Sequence, residues 1–208
     1  MTEPLSLHDT LDLLDYRRKV ADLYTSVRAG PPGELTWRNW REQRDTLFAT
    51  HPQSAIPPEQ RATFEHLPYF DYDSTWRVTA SLEPTGGDPL AISHSADGAT
   101  TAHLFAFAHF TRHATEHTLP LYWLDEYSGD LFLPFRDATA GAESYGGGRY
   151  LLDTAKGADL DGPTNGQLVL DFNYAYHPSC AHDPDWSCPL APRENWLDVP
   201  IRAGERLP

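Results

Sequence analysis

A chain of 208 residues with 40% hydrophobic and 22% charged residues can bury a real core, which excludes wholesale disorder and points to one domain spanning 1–208. Its net charge of −14 repels phosphate backbones and excludes nucleic acid as a natural partner. No apolar run approaches the roughly 18 residues a membrane helix needs, and the acidic start MTEPLSLHDTLDLLDYRRK has no basic-then-apolar signal pattern. A cytoplasmic location follows as the expectation.

Of the 16 Lys and Arg residues, only Lys19 and Lys156 are lysines. Acid excess with so little Lys suits a salt-rich, halophilic cytoplasm, where dense carboxylates keep a protein hydrated. A GC-rich genome, which favours Arg codons, produces the same bias. Under the first explanation stability rises with salt, as self-repulsion is screened.

The elements follow in chain order. Leu11–Val27 reads as a helix, because Leu13, Tyr16, Val20, Leu23, Tyr24 and Val27 recur at helical spacing and Gly30-Pro31-Pro32 ends the run. Thr36 is the expected cap of a second helix carrying Trp37, Trp40, Leu47 and Phe48, closed by His51-Pro52. A short helical turn is expected near Pro58–Phe64, so 1–64 forms a helical segment that packs on a β-rich body, 65–208.

Beyond it the period changes. Trp76–Leu82 alternates like a half-buried strand. Leu90–Ser93, Ala102–Phe110, Thr118–Leu124, Leu131–Phe135, Ser144–Leu152 and Gln167–Phe172 are further strands with turn-sized links. Without any βαβ rhythm, the expected fold class is mainly β: an antiparallel barrel or sandwich preceded by N-terminal helices.

Several polar clusters invite a metal reading. His177, Cys180, His182 and Cys188 form H-x2-C-x-H-x5-C, whose spacing matches no common zinc loop. His109, His113 and His117 share a helical spacing, but Thr111–Glu116 reads as a hairpin turn between strands. Asp159, Asp161 and Asn165 fail the calcium-loop pattern at Pro163 and Leu170. No metal and no cofactor are expected. Gly146-Gly147-Gly148 lacks the residues of a phosphate loop and reads as a bulge or bend.

Two dense polar blocks remain, PFRDATAGAESYGGGRYL at 134–151 and LDFNYAYHPSCAHDPDWSCPLAPREN at 170–195. Asp171 and Asn173 follow the apolar run Leu168–Leu170. A carboxylate at the end of a buried strand is costly unless an Arg or a ligand satisfies it.

These blocks, with VPIRAGE near the end and Trp76-Arg77-Val78 upstream, resemble an uncharacterised bacterial and archaeal domain-of-unknown-function family, number 1684. The resemblance covers most of the chain and implies no activity. In the family pattern the positions of His177 and His182 are usually Asn and Tyr, whereas Cys180 and Cys188 fit it.

Two functions compete. In the first the chain is a small-molecule-binding β protein, enzyme or not, whose ligand is anionic or carbonyl-bearing. Arg136, Arg149, Asn173, Tyr176 and Cys180 would bind it, with Glu143 or Asp171 as general acid/base and Tyr145 as hydrogen-bond donor. In the second the chain is a non-catalytic structural or interaction protein, and the same Arg and Asp/Glu groups form a buried network. The sharpest expectation is that Arg136, Glu143, Tyr145, Arg149, Asp171 and Asn173 converge on one partly open cavity. The sequence leaves the oligomeric state open.

Overall fold

The computed structural model describes residues 6–125 and 129–208; the first residues of the acidic start read above lie outside them. Helix α1, Leu7–Ala29, starts earlier than the apolar spacing suggests because Ser6 caps it, its hydroxyl accepting from the Asp9 N–H at 3.1 Å. Helix α2 is Glu34–Thr50, and Thr36 is not its cap. Gly33, at φ +148°, occupies that position, and Thr36 instead donates its hydroxyl to the Pro31 carbonyl at 2.7 Å. A single turn, α3, follows at Pro58–Arg61.

The strands are β1 (Arg77–Pro84), β2 (Pro89–Ser93), β3 (Ala99–Arg112), β4 (Thr115–Leu124), β5 (Asp130–Phe135), β6 (Arg149–Asp153) and β7 (Gln167–Asp171). They form one antiparallel sheet in the order β6-β5-β4-β3-β1-β7, with β2 continuing along β3 beyond β1. The sheet curls into a half-barrel, so the sandwich alternative does not apply. Paired hydrogen bonds between Tyr150 and Tyr176, at 2.8 and 3.0 Å, cross its open side just beyond β7.

The β3–β4 hairpin turns at His113 and Ala114, both with positive φ, as a tight hairpin matching strand twist requires. The strand expected at Ser144–Leu152 begins only at Arg149. Upstream, the Thr139 carbonyl collects the N–H groups of Ala142, Glu143 and Ser144 at 3.1, 2.8 and 3.1 Å, coiling the segment into a turn. Gly148, at φ +95°, then passes so close to β5 that a Cβ would stand 2.5 Å from the Phe135 carbonyl oxygen.

Alternation divides the sheet residues between two cores. Ala80, Phe110, Leu119, Leu121, Leu133, Phe135, Leu151 and Leu170 fill one face, closed by Leu197, Ile201 and Ala203 of the C-terminal segment. Tyr122, Leu124, Phe132 and Tyr150 face the other way, against Leu23 and Tyr24 of α1 and Trp37, Trp40 and Phe48 of α2. Among the described residues no helix is long and apolar enough to cross a membrane.

Arg149 binds the C-terminal segment to the sheet. Its fully buried guanidinium donates to the carbonyls of Ile201 and Glu205 at 2.8 and 3.2 Å, and also to that of Ala203. It meets Asp137 Oδ1 at 3.1 Å, and Asp137 in turn accepts the Ile201 N–H at 2.6 Å. Such a pair gives little net stability over an apolar substitute, but removing one partner strands the other charge. Arg149→Ala is expected to lower the unfolding free energy by about 3–5 kcal/mol, measured by urea denaturation. A loss within about 0.5 kcal/mol, typical of a surface position, would contradict this reading.

Candidate functional site

The six residues expected to converge do not share one cavity. Arg136 stacks over Trp196 at 4.1 Å. Glu143 forms a two-pronged surface ion pair with Arg202 at 2.8 and 2.9 Å. Arg149 is spent on Asp137 and the C-terminal carbonyls. Tyr145 lies near Cys180, whose thiol reaches its hydroxyl at 3.6 Å. Only Asp171 and Asn173 stay together. The reason is the strand order: the first block lies on β5, β6 and the turn between them, at the opposite edge of the sheet from β7. Tyr176 is buried elsewhere, donating to Asp153 Oδ2 at 3.2 Å.

Asp171 ends β7 as the 3-10 turn Phe172–Tyr174 begins. Its Oδ1 accepts the backbone N–H and the side-chain amide of Asn173, at 3.1 and 2.8 Å. Asn173 is held on every side. Its amide donates to the Asp73 carbonyl and its Oδ1 accepts the Asp73 N–H, both at 2.9 Å, while its own carbonyl accepts from the Trp37 indole at 2.8 Å.

Asp171 Oδ2 is different: its nearest cation is Arg77 Nε at 3.8 Å, beyond hydrogen-bond range. Burial raises the Asp171 pKa above the ordinary aspartate value, and the Asn173 bonds and Arg77 offset this only in part. This carboxyl lines a recess of about 230 Å³, walled by Arg28, Thr36, Arg77, Leu160, Val169 and Tyr174 among others. Arg28 sits at its rim, bound to the Asp159 carboxylate and carbonyl at 3.1 and 2.8 Å. Sequence reasoning found Asp171 and missed Arg77, although their pairing follows from the β1–β7 register that sets the two residues opposite each other.

A second polar cluster surrounds Glu205, which is fully buried. Arg44 of α2 meets Glu205 Oε2 at 2.9 Å, and the His177 N–H donates to the same oxygen at 3.0 Å. His177 Nδ1 and His182 Nε2 lie 3.5 and 3.1 Å from Oε1, and Arg44 also bonds the Tyr69 hydroxyl. Burial pushes the Glu205 pKa up, but Arg44 and the two histidines outweigh it and hold the carboxyl far below its ordinary value.

His177, His182 and Glu205 present ligand atoms within 4.8 Å of one another, a spacing that suits a metal ion. The protons argue against one. His177 Nε2 accepts the Tyr145 N–H at 3.1 Å, so a neutral ring carries its proton on Nδ1, facing the carboxylate, and leaves no lone pair there for a metal. The two cysteines of the H-x2-C-x-H-x5-C run turn away from these histidines, toward Tyr145 and Ser95. Beside the cluster, between α1 and α2, a cavity of about 40 Å³ has room for only about three waters.

Taken together, the chain is a helix-capped antiparallel half-barrel with a charged recess at the strand end where the helices dock. It belongs to the family described as "Protein of unknown function (DUF1684)", whose model matches residues 62–206. It is similar to the uncharacterised protein from gene locus rrnAC0354 of Haloarcula marismortui, known from a solution NMR structure. The two are 36% identical, with a TM-score of 0.61, over 82% of this chain and 91% of that one. No curated protein matches. The family match starts after α2, so Arg28 and Thr36 of the recess wall lie outside it.

The Glu205 cluster generates a pH prediction. Burial, and the nearby Arg149, His182 and Arg44, bring the His177 pKa down to about 4 despite Glu205. The unfolded chain titrates near 6.5, so it binds more protons than the folded protein between those values. The stability this histidine contributes is therefore present above pH 6.5 and lost as pH falls toward 4. Between pH 7 and 4.5 the protein should lose an extra 2–3 kcal/mol or so from this group. Urea melts of the wild type and His177→Gln check it: the variant should lose markedly less, and an equal loss would contradict the assignment.

Proposed function

We propose that this protein binds a small anionic or carbonyl-bearing metabolite in the Asp171 recess. Arg77 would be the electrostatic anchor, Arg28 a rim contact, and Asp171 the group that exchanges a proton with the ligand. The observation that carries this reading is a buried carboxyl with one oxygen lacking any hydrogen bond and a raised pKa, opposite a half-exposed guanidinium. Purely structural carboxylates are normally satisfied, as Asp137 is with both oxygens hydrogen-bonded, because an unpaired buried oxygen costs stability. Perturbed groups of this kind in a recess mark functional sites.

The chemistry follows from the same features. A carboxyl poised above its ordinary pKa exchanges protons more readily near neutrality and can serve as general acid or base. The Arg fork would hold a carboxylate or polarise a carbonyl. Val169, Leu160 and Tyr174 supply apolar walls, and a volume of about 230 Å³ fits a molecule smaller than the usual drug-sized ligand.

The structural reading keeps its force for the first polar block. Arg149 and Asp137 are buried and paired with each other, and they are assigned to holding the C-terminal segment rather than a ligand.

The test combines stability with binding. Because the folded pKa of Asp171 is raised, its contribution to stability is fully present below the ordinary aspartate range and lost as pH rises through the folded value. At pH 7 the charged carboxyl is a burden, so Asp171→Asn should be neutral or stabilising. In a thermal-shift screen of small carboxylates, keto acids and phosphate at constant ionic strength, a true ligand at 100 times its Kd should stabilise the wild type by about 2.7 kcal/mol. The shift should vanish in Asp171→Asn and in Arg77→Met. A destabilised Asp171→Asn, together with no ligand-dependent shift in the wild type, would overturn the proposal.

A further inference from the structure

The segment 179–190 folds back on itself across one end of the sheet. Successive turns carry it, with the N–H groups of His182 and Asp183 on the Ser179 carbonyl and the Trp186 N–H on that of Asp183. The result brings the protein's two cysteines together. Cys180 is partly exposed and Cys188 buried, both as free thiols. Their thiols lie close enough to influence each other's ionisation. Three further groups complete the nest. The Cys188 N–H donates to Ser95 Oγ at 3.1 Å, that hydroxyl also favours the Cys180 thiolate, and Cys180 Sγ reaches the Tyr145 hydroxyl at 3.6 Å. The Ser95 N–H fixes the Cys188 carbonyl at 2.8 Å, locking the register of the loop against the chain after β2.

We propose that Cys180 and Cys188 form a peroxide-reactive dithiol: Cys180 is the attacking sulfur, Cys188 the resolving one, and a hydroperoxide the oxidant. This site is separate from the Asp171 recess and does not depend on the function proposed there.

The geometry divides the two roles. The attacking sulfur must be reachable and surrounded by donors that stabilise its thiolate. Cys180 has exposure, the Ser95 and Tyr145 hydroxyls, and the Cys188 thiol as donors. Its pKa is accordingly brought down to about 6, chiefly by the hydrogen bond from Cys188, then by Ser95 and Tyr145 against the opposing effect of burial. Cys188 moves the opposite way: donation to Cys180 and burial raise its pKa, so it keeps its proton until the first step is over. Tyr145, pushed up to about 12 by burial and by Cys180, stays a hydroxyl donor throughout.

In the first step the Cys180 thiolate attacks one peroxide oxygen. An S–O bond forms as the O–O bond breaks, and the departing alkoxide or hydroxide takes up a proton and leaves as alcohol or water. Cys180 is then a sulfenic acid. In the second step the Cys188 sulfur attacks that sulfur. The S–S bond forms, the S–O bond breaks, and the hydroxide leaves as water with the Cys188 proton. Two thiols lose two electrons in all, and the hydroperoxide gains them.

Hydrogen peroxide is the probe, and intact-mass analysis of the whole chain without reductant is the primary readout. The wild type should lose two hydrogens in mass and both titratable thiols, and dithiothreitol should restore them. In Cys188→Ser, dimedone should label Cys180 as the sulfenic acid; in Cys180→Ser, Cys188 should stay unlabelled. Iodoacetamide at pH 7 should alkylate Cys180 about two- to threefold faster than free cysteine, because its larger thiolate fraction outweighs its lower intrinsic nucleophilicity. The proposal is overturned if the wild type keeps both thiols under peroxide, if it links only between molecules, or if Cys188 is the residue labelled.

Discussion

Glu205 is the point at which three separate parts of the chain are tied together. A carboxylate buried this completely survives only with full compensation. The compensation comes from Arg44 on α2, from the backbone and ring of His177, and from His182. The same segment is fixed from the other side, where Arg149 gathers its carbonyls. Gly204 permits the approach: at φ +80°, it leaves no room for a Cβ, which would stand 2.6 Å from the Ala175 carbonyl oxygen. The helical layer is thus docked on the sheet by a charge that has nowhere else to go.

From that docking the recess follows. With α2 fixed through Arg44, Trp37 is placed to bond the Asn173 carbonyl. Asn173 is then fully occupied, and it turns one face of the Asp171 carboxyl toward itself. The other oxygen is left facing Arg77 across a gap too long for a hydrogen bond. The contrast between the two carboxylates carries the functional argument. Glu205 is over-compensated and its pKa falls, whereas Asp171 is under-compensated and its pKa rises. Burial alone would push both upward; the number and distance of the cations decide the sign.

Much of the architecture is legible in the sequence, because it rests on local rules. Gly30-Pro31 ends α1, the alternation of β1 marks a half-buried strand, and the cost of Asp171 at the end of an apolar run is visible from the residues themselves. The errors lie where local rules compete or where partners are distant. Thr36 is a good capping residue, but Gly33 reaches the required backbone shape first. Tyr145 has strand propensity, yet the Thr139 carbonyl draws the preceding residues into a turn. The Glu205 cluster has no local signature at all: its members come from α2, from the stretch after β7 and from the C-terminal segment. The cysteines and histidines interleave in sequence but part in space into two clusters, a division that their spacing does not signal.

The most direct test of this account is the titration of Asp171 itself. Its side-chain carboxyl, followed by carbon NMR in the assigned protein, should titrate above the ordinary aspartate value of about 3.9, and its resonance should move when a ligand is added. A midpoint at or below that value would mean that Arg77 or the Asn173 amides already satisfy the charge. Asp171 would then be one more structural carboxylate, and the recess would lose its claim to be the functional site.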